Sequence, residues 1–206
     1  MKIYAIVYPD GRTESVESWD ECKTKTSGVS GVKYKSFEEP RLMKAWIASQ
    51  LELHSVTIDQ VQHDPTKLCF YTDGAYKKSG RGYAGWAYVY MSQSDVLHMD
   101  SGRTPDKATS RNIDGEVYAA YKALDHILRL QPKRTYYIVH DLLHISQWAK
   151  GLWKLNPNQL YGALLCDTYN KVINAGFDIV FIHVKGHTGK VIGNNLADQL
   201  ATKYSD

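Results

Sequence analysis

Cysteine is scarce in this sequence. Cys22, Cys69 and Cys166 are the only three among 206 residues. An odd number without a CxxC pair argues against a disulfide framework or a zinc site and suits a reducing compartment. Long apolar runs are missing too: none approaches the roughly 18 residues that a membrane span needs. The opening MKIYAIVYPDGRT lacks the apolar stretch of a signal peptide, so a soluble, cytoplasmic protein without membrane contact is expected. Charge of one sign is also in short supply. A formal net charge of +3 neither requires nor forbids a polyanionic partner. No internal repeat is present, and nothing calls for an obligate protein partner. What the chain does have is 43% hydrophobic residues. That supports a sizeable core and speaks against global disorder, in a length suited to one ordinary domain plus a small one.

The first 52 residues read as a unit. KIYAIVYP is a strand ending in the turn signal PDGR, and TESVES is its hairpin partner. SWDECKTKT starts a helix, with Ser18 as N-cap and Glu21 three residues on. GVKYKSF is a short strand. EEPRLMKAWIASQL is an amphipathic helix with Leu42, Trp46, Ile47 and Leu51 on its apolar face. Residues 53–65 read as a short tether of limited reach. From residue 66 the pattern changes. LCFYTDG, YAGWAYVYM and VLHMDSGRT are strands. A helix follows from about Asp114 to Leu130, then the strand TYYIVH, a short helix around LLHISQWAKG and a helix across NQLYGALLCDTYNKVINAG with Gly176 at its end. FDIVFIHV is a strand, and the loop KGHTGKVIG leads to a last helix, NNLADQLATKYS. Three strands followed by alternating helices and strands imply a mixed α/β sheet with helices on its faces.

Four acidic residues hold distinctive places in that scheme. Asp73 ends the first strand of the second domain, Glu116 lies in the first turn of the helix after the three strands, Asp141 ends TYYIVH, and Asp198 lies in the last helix. Each has a plain reading alone: a turn dipeptide, a dipole partner, an N-cap, a solvated helix position. If they converge at one sheet edge, they repel one another. Hard divalent cations relieve that repulsion, with magnesium or manganese preferred over zinc. Two such ions about 4 Å apart suit in-line hydrolysis of a phosphodiester. Gly74 would let backbone approach a substrate closely.

As a set, FYTDGAY, RNIDGEVYAAYKAL, YIVHD, HVKGHTG and NNLADQLA resemble ribonuclease H type 1 over residues 66–206. SWDECKTKTSGVSGVKYKSF resembles the small hybrid-binding, viroplasmin-like domain often fused to such enzymes. The resemblance implies a ribonuclease H-like mixed five-stranded sheet flanked by helices, plus a small N-terminal α+β domain. It implies hydrolysis of the RNA strand of RNA–DNA hybrids, leaving 5′-phosphate and 3′-hydroxyl ends, with two Mg2+ ions or Mn2+ in their place. Asp73, Glu116, Asp141 and Asp198 match the family's metal ligands, and His187 matches its loop histidine. Asn112, with the backbone of Gly74 and Ala75, matches contacts to the ribose 2′-hydroxyl, which distinguishes RNA from DNA, and Gln147 matches a minor-groove contact. Lys77, Lys78 and Arg81 are candidates for phosphate. Trp19, Tyr34 and Lys35 match a platform of aromatic rings and a cation for the hybrid. His140 and His144 flank Asp141 and read as structural.

Three departures from the pattern stand out. SRNIDGE carries an extra residue relative to many members, Asn195 stands where many have Glu, and Ser36 stands where some have a second lysine. A non-catalytic protein that binds hybrid or double-stranded RNA is the alternative reading, and a junction resolvase of related fold is a third.

Overall fold

A computed structural model describes residues 2–186 and 191–205, without the side chains of residues 52–55. The chain divides into two compact units, residues 1–56 and 57–206.

In the first unit, strands β1 (Ile3–Val7), β2 (Thr13–Val16) and β3 (Lys33–Phe37) form an antiparallel sheet in the order β2-β1-β3. Helices α1 (Trp19–Thr26) and α2 (Pro40–Ser55) complete it. Ser18 caps α1, its hydroxyl accepting from the Glu21 amide at 3.2 Å. Strand alternation sends Ile6 and Tyr8 to one face, where they pack with Val16 and Cys22. Phe37 meets Trp46 of α2, ring centroids 5.7 Å apart. The stretch read as a tether contains the end of α2 and a short helix α3 (Ile58–Gln62), which opens with a capping box between Thr57 and Gln60.

The second unit holds β4 (Leu68–Ala75), β5 (Tyr83–Ser92), β6 (Asp95–Lys107), β7 (Thr135–His140) and β8 (Asp178–His183), ordered β6-β5-β4-β7-β8. The first three are antiparallel, and β4–β7 and β7–β8 are parallel. Helices α4 (Asn112–Ile127), α5 (His144–Ala149), α6 (Gly162–Asn174) and α7 (Ile192–Lys203) complete the mixed, helix-flanked sheet. Phe70, Tyr88, Ile138, Leu124 and Leu165 belong to its main core. Phe70 stacks on Tyr90 with centroids 4.4 Å apart, a pairing that contributes about 1 kcal/mol beyond burial.

Two boundaries differ from expectation. Strand β6 runs on through Pro105, which an edge strand tolerates because its outer N–H needs no partner. Helix α4 begins at Asn112, so Glu116 lies in its second turn rather than its first. No helix among the described residues is long and apolar enough to cross a membrane.

Candidate functional site

Asp73 is the sixth residue of β4, in register with Ala87 of β5, two positions before the strand ends. Gly74 and Gly115 bring α4 against it. A Cβ on Gly74 would collide with the backbone N of Glu116, and one on Gly115 would collide with the carbonyl oxygen of Gly85. The missing side chain at Gly74 therefore serves a strand–helix crossing. Its amide donates to Asp73 Oδ1 at 2.7 Å. Only glycine permits this crossing, and the crossing carries Glu116 to Asp73. Asp141 follows the last residue of β7, on the strand beside β4.

The result is a cluster in which Asp73, Glu116 and Asp141 each present a carboxylate oxygen, all within 4.8 Å of one another. Asp73 and Glu116 are each 3% exposed. Asp73 Oδ2 and Glu116 Oε2 are buried without a hydrogen-bond partner. Burial pushes the Asp73 carboxyl up to about 7, with the charges of Asp141 and Asp198 adding to the rise. Burial, then the charges of Asp73 and Asp141, hold Glu116 well above the ordinary carboxylate range. Two buried acids at this distance cannot both be ionised cheaply. A shared proton or a cation relieves them. All the donors are hard oxygens, so the set fits a magnesium-like ion better than zinc. Asp198, on α7, is half-buried and lies outside this tight group, although its charge reaches Asp73.

Two histidines set the turn that carries Asp141. His140 and His183 stand side by side on the parallel strands β7 and β8. His140 Nδ1 donates to the Leu142 carbonyl at 3.0 Å, and His183 Nε2 donates to the Asp141 carbonyl at 2.9 Å. Burial drives His140 down to about 3, so it is neutral, in keeping with its structural reading. His144 packs between the rings of Trp148 and Trp153. A Cβ on Gly186 would press on the Asp141 carboxylate, so the loop after β8 passes close to it. His187, the expected loop histidine, lies outside the described residues.

Asn112 is exposed, and a Cβ on Gly74 would sit 2.8 Å from its carbonyl oxygen, so it borders the cluster. With Tyr76, Lys78 and Arg111 it lines a cleft of about 210 Å³. Ala75 is half-buried, and Lys77 and Arg81 are exposed. Gln147 departs from expectation. It is 4% exposed within α5, whose residues Ile145 to Ala149 are all buried, so its side chain is not offered to a groove.

In the small unit Trp19 and Tyr34 come together, 43% and 47% exposed with ring centroids 5.7 Å apart. Lys35 does not join them. Alternation along β3 turns it to the opposite face, where its ammonium lies 5.6 Å from the Phe37 ring and burial lowers its pKa. The expected platform is thus an aromatic pair without that cation. Sequence reasoning also missed the buried carboxylate of Asp114. Its position two residues before Glu116 was the only signal.

Comparison with known proteins agrees with this geometry. No curated protein matches the chain. Among solved structures, the N-terminal RNase H domain of rv2228c from Mycobacterium tuberculosis aligns with 21% identity over 68% of this chain and 100% of its own, TM-score 0.55. RNase H1 from the archaeon Halobacterium salinarum aligns with 20% identity over 66% and 96%, TM-score 0.53. LC11-RNase H1, solved in complex with an RNA/DNA hybrid, aligns with 21% identity over 68% and 97%, TM-score 0.50. At such identities these likenesses establish the fold. The family model for the ribonuclease H1 N-terminal domain matches residues 2–47. The RNase H model matches residues 65–206, most of the chain, and the protein belongs to the RNase H family.

Proposed function

We propose that this protein is an endoribonuclease that hydrolyses the RNA strand of RNA–DNA hybrids and leaves 5′-phosphate and 3′-hydroxyl ends. The observation that carries the reading is the trio Asp73, Glu116 and Asp141, the first two buried and the third half-buried, each presenting a carboxylate oxygen within 4.8 Å of the others, with Asp73 Oδ2 and Glu116 Oε2 unpartnered. These residues would hold Mg2+, or Mn2+ in its place, with Asp198 completing a second ion's ligands. Bound there, the two ions would supply charge stabilisation for in-line displacement at phosphorus. The chain's own groups do the rest. Asp73 Oδ2 and Glu116 Oε2 stay available as acceptors in a buried setting. His183 and His140 fix the turn that aims Asp141. Asn112 and the backbone of Gly74 and Ala75 would contact the ribose, where a 2′-hydroxyl can donate and accept, and Lys78, in the same cleft as Asn112, would meet phosphate. His187 would move protons or help product leave.

The family relative solved with a hybrid supports the choice of substrate. The exposed Trp19–Tyr34 pair supports a second grip on the same duplex through the small domain, residues 1–52. Linking two modest sites raises apparent affinity if the segment 53–65 spans them. Lone free thiols fit a cytoplasmic setting.

The test is cleavage of labelled hybrid, duplex RNA and duplex DNA with magnesium, manganese or chelator. Cutting confined to the RNA strand of hybrid and abolished by chelator is expected. Hybrid binding without cleavage under every condition would establish the non-catalytic alternative. Asp141→Asn should retain hybrid binding and lose nearly all cutting, and normal cutting by that variant would remove Asp141 from the site.

A further inference from the structure

The acid two residues ahead of Glu116 takes no part in the carboxylate cluster. Asp114 is wholly buried. Its Oδ2 accepts from the amides of Thr109 and Ser110, both at 2.7 Å, and its Oδ1 accepts from Nε2 of Gln159 at 2.8 Å. Gln159 is itself 8% exposed. The Thr109 hydroxyl adds a second tie, donating to the Asn158 carbonyl at 3.3 Å. One carboxylate thus joins the segment before α4 to the segment before α6.

Within the joined segment lies Arg111, with φ 57° and ψ −127°. An L residue holds that conformation only where its surroundings over-determine it. The Asp114 clamp grips the chain on both sides of Arg111, at Thr109 and Ser110 before it and through helix α4 after it. The segment is the one in which the sequence carries an extra residue relative to many family members. Arg111 and Asn112 are both exposed, and both line the cleft beside the cluster.

We propose that Asp114 is a positioning residue. Bonded to Thr109 and Ser110 on one side and Gln159 on the other, it holds Arg111 and Asn112 at the edge of the site and sets the grip on the ribose-bearing strand. The rate of bond cleavage is left to the carboxylate cluster. The identity of that strand rests on the function proposed above.

The full chain is used for the test. Asp114→Ala should raise KM for hybrid about tenfold, as the loss of charge-assisted hydrogen bonds predicts, with kcat within about threefold. A hybrid whose RNA strand lacks 2′-hydroxyls beside the scissile phosphate should be cut about tenfold less efficiently by the unaltered protein, the worth of about one hydrogen bond. The alanine variant should lose little further on that substrate. Asp114→Asn should restore function, because its Oδ1 still accepts from the amides and its Nδ2 can donate to a rotated Gln159. Gln159→Glu sets two carboxylates together and should act like the alanine variant. Adding Asp114→Asn to it should rescue, with the amide now donating to the new carboxylate.

An unchanged KM in Asp114→Ala, a fall in kcat alone, or a double variant no better than Gln159→Glu would overturn the assignment. If Asp114→Ala does not fold, the comparison of Gln159→Glu with the double variant decides. If the unaltered protein cuts no hybrid, the nuclease reading fails by itself. The affinities of the same variants for hybrid and duplex DNA, followed by fluorescence anisotropy, then decide the positioning role.

Discussion

Helix α4 carries two buried acids, Asp114 and Glu116, and the structure treats them in opposite ways. Asp114 is saturated, with two amides and a side-chain amide donating to it. Glu116 has a buried oxygen with no donor and two further carboxylates close by. Burying an ionised group is costly in both places. At Asp114 the cost is offset by hydrogen bonds within the protein, so the acid organises backbone. At Glu116 it is not, and the local repulsion remains until a proton or a cation enters. A buried acid surrounded by donors is architectural, whereas one surrounded by acids is prepared for a ligand.

Exchanging the two acids' chemistry tests this contrast most strongly in activity. Glu116→Gln should lower kcat by about a thousandfold or more, whereas Asp114→Ala should leave kcat nearly intact. Equal losses would erase the distinction. In stability the signs should reverse. Asp114→Ala leaves buried amides unsatisfied and should cost about 2–4 kcal/mol in denaturant unfolding. Glu116→Gln removes the need to protonate or bury an acid in a repulsive cluster on folding and should stabilise the chelator-treated protein at neutral pH by about 1 kcal/mol or more.

The pH profile sharpens the comparison further. Burial raises Asp73 to about 7 and Glu116 well above its usual range. A carboxyl with a folded pKa above its unfolded one binds more protons when folded, so its contribution to stability declines as pH climbs from about 4 through 7. In chelator, melting should occur roughly 5 °C lower at pH 8 than at pH 5, and divalent ions should recover the difference. A flat profile would mean that the acids do not share one site. The smallest effects belong to the other unit. Trp19→Ala should weaken hybrid affinity about tenfold with kcat unchanged. Lys35→Ala, on the opposite face of β3, should do less, and the reverse order would return the cation to the platform.

Much of this was legible from residue patterns. Period-two alternation marked the strands, and apolar residues at helical spacing marked α2 and α4. Turn and cap residues such as Ser18 and Gly176 punctuated them, because these signals act over a few residues. Asp73, Glu116, Asp141 and Asp198 each had a plain reading alone and stood out only as a set, through the resemblance to ribonuclease H type 1. Less legible were roles that depend on a distant neighbour. Gly74 gave no sign that its missing side chain makes room for α4, more than thirty-five residues along the chain. Gln147 looked like a surface amide until the short helix α5 was enclosed. Asp114 drew no reading of its own, because its partner Gln159 lies far along the chain.

The amino-acid order alone determined the kinds of element, their succession and the acidic side chains available for chemistry. Those follow from local backbone preferences and from the spacing of apolar groups. Only the folded arrangement decided which acids would be left facing one another and which would be satisfied by amides. That depends on backbones meeting across glycines distant in sequence, and on whether donors or other carboxylates fill the remaining space.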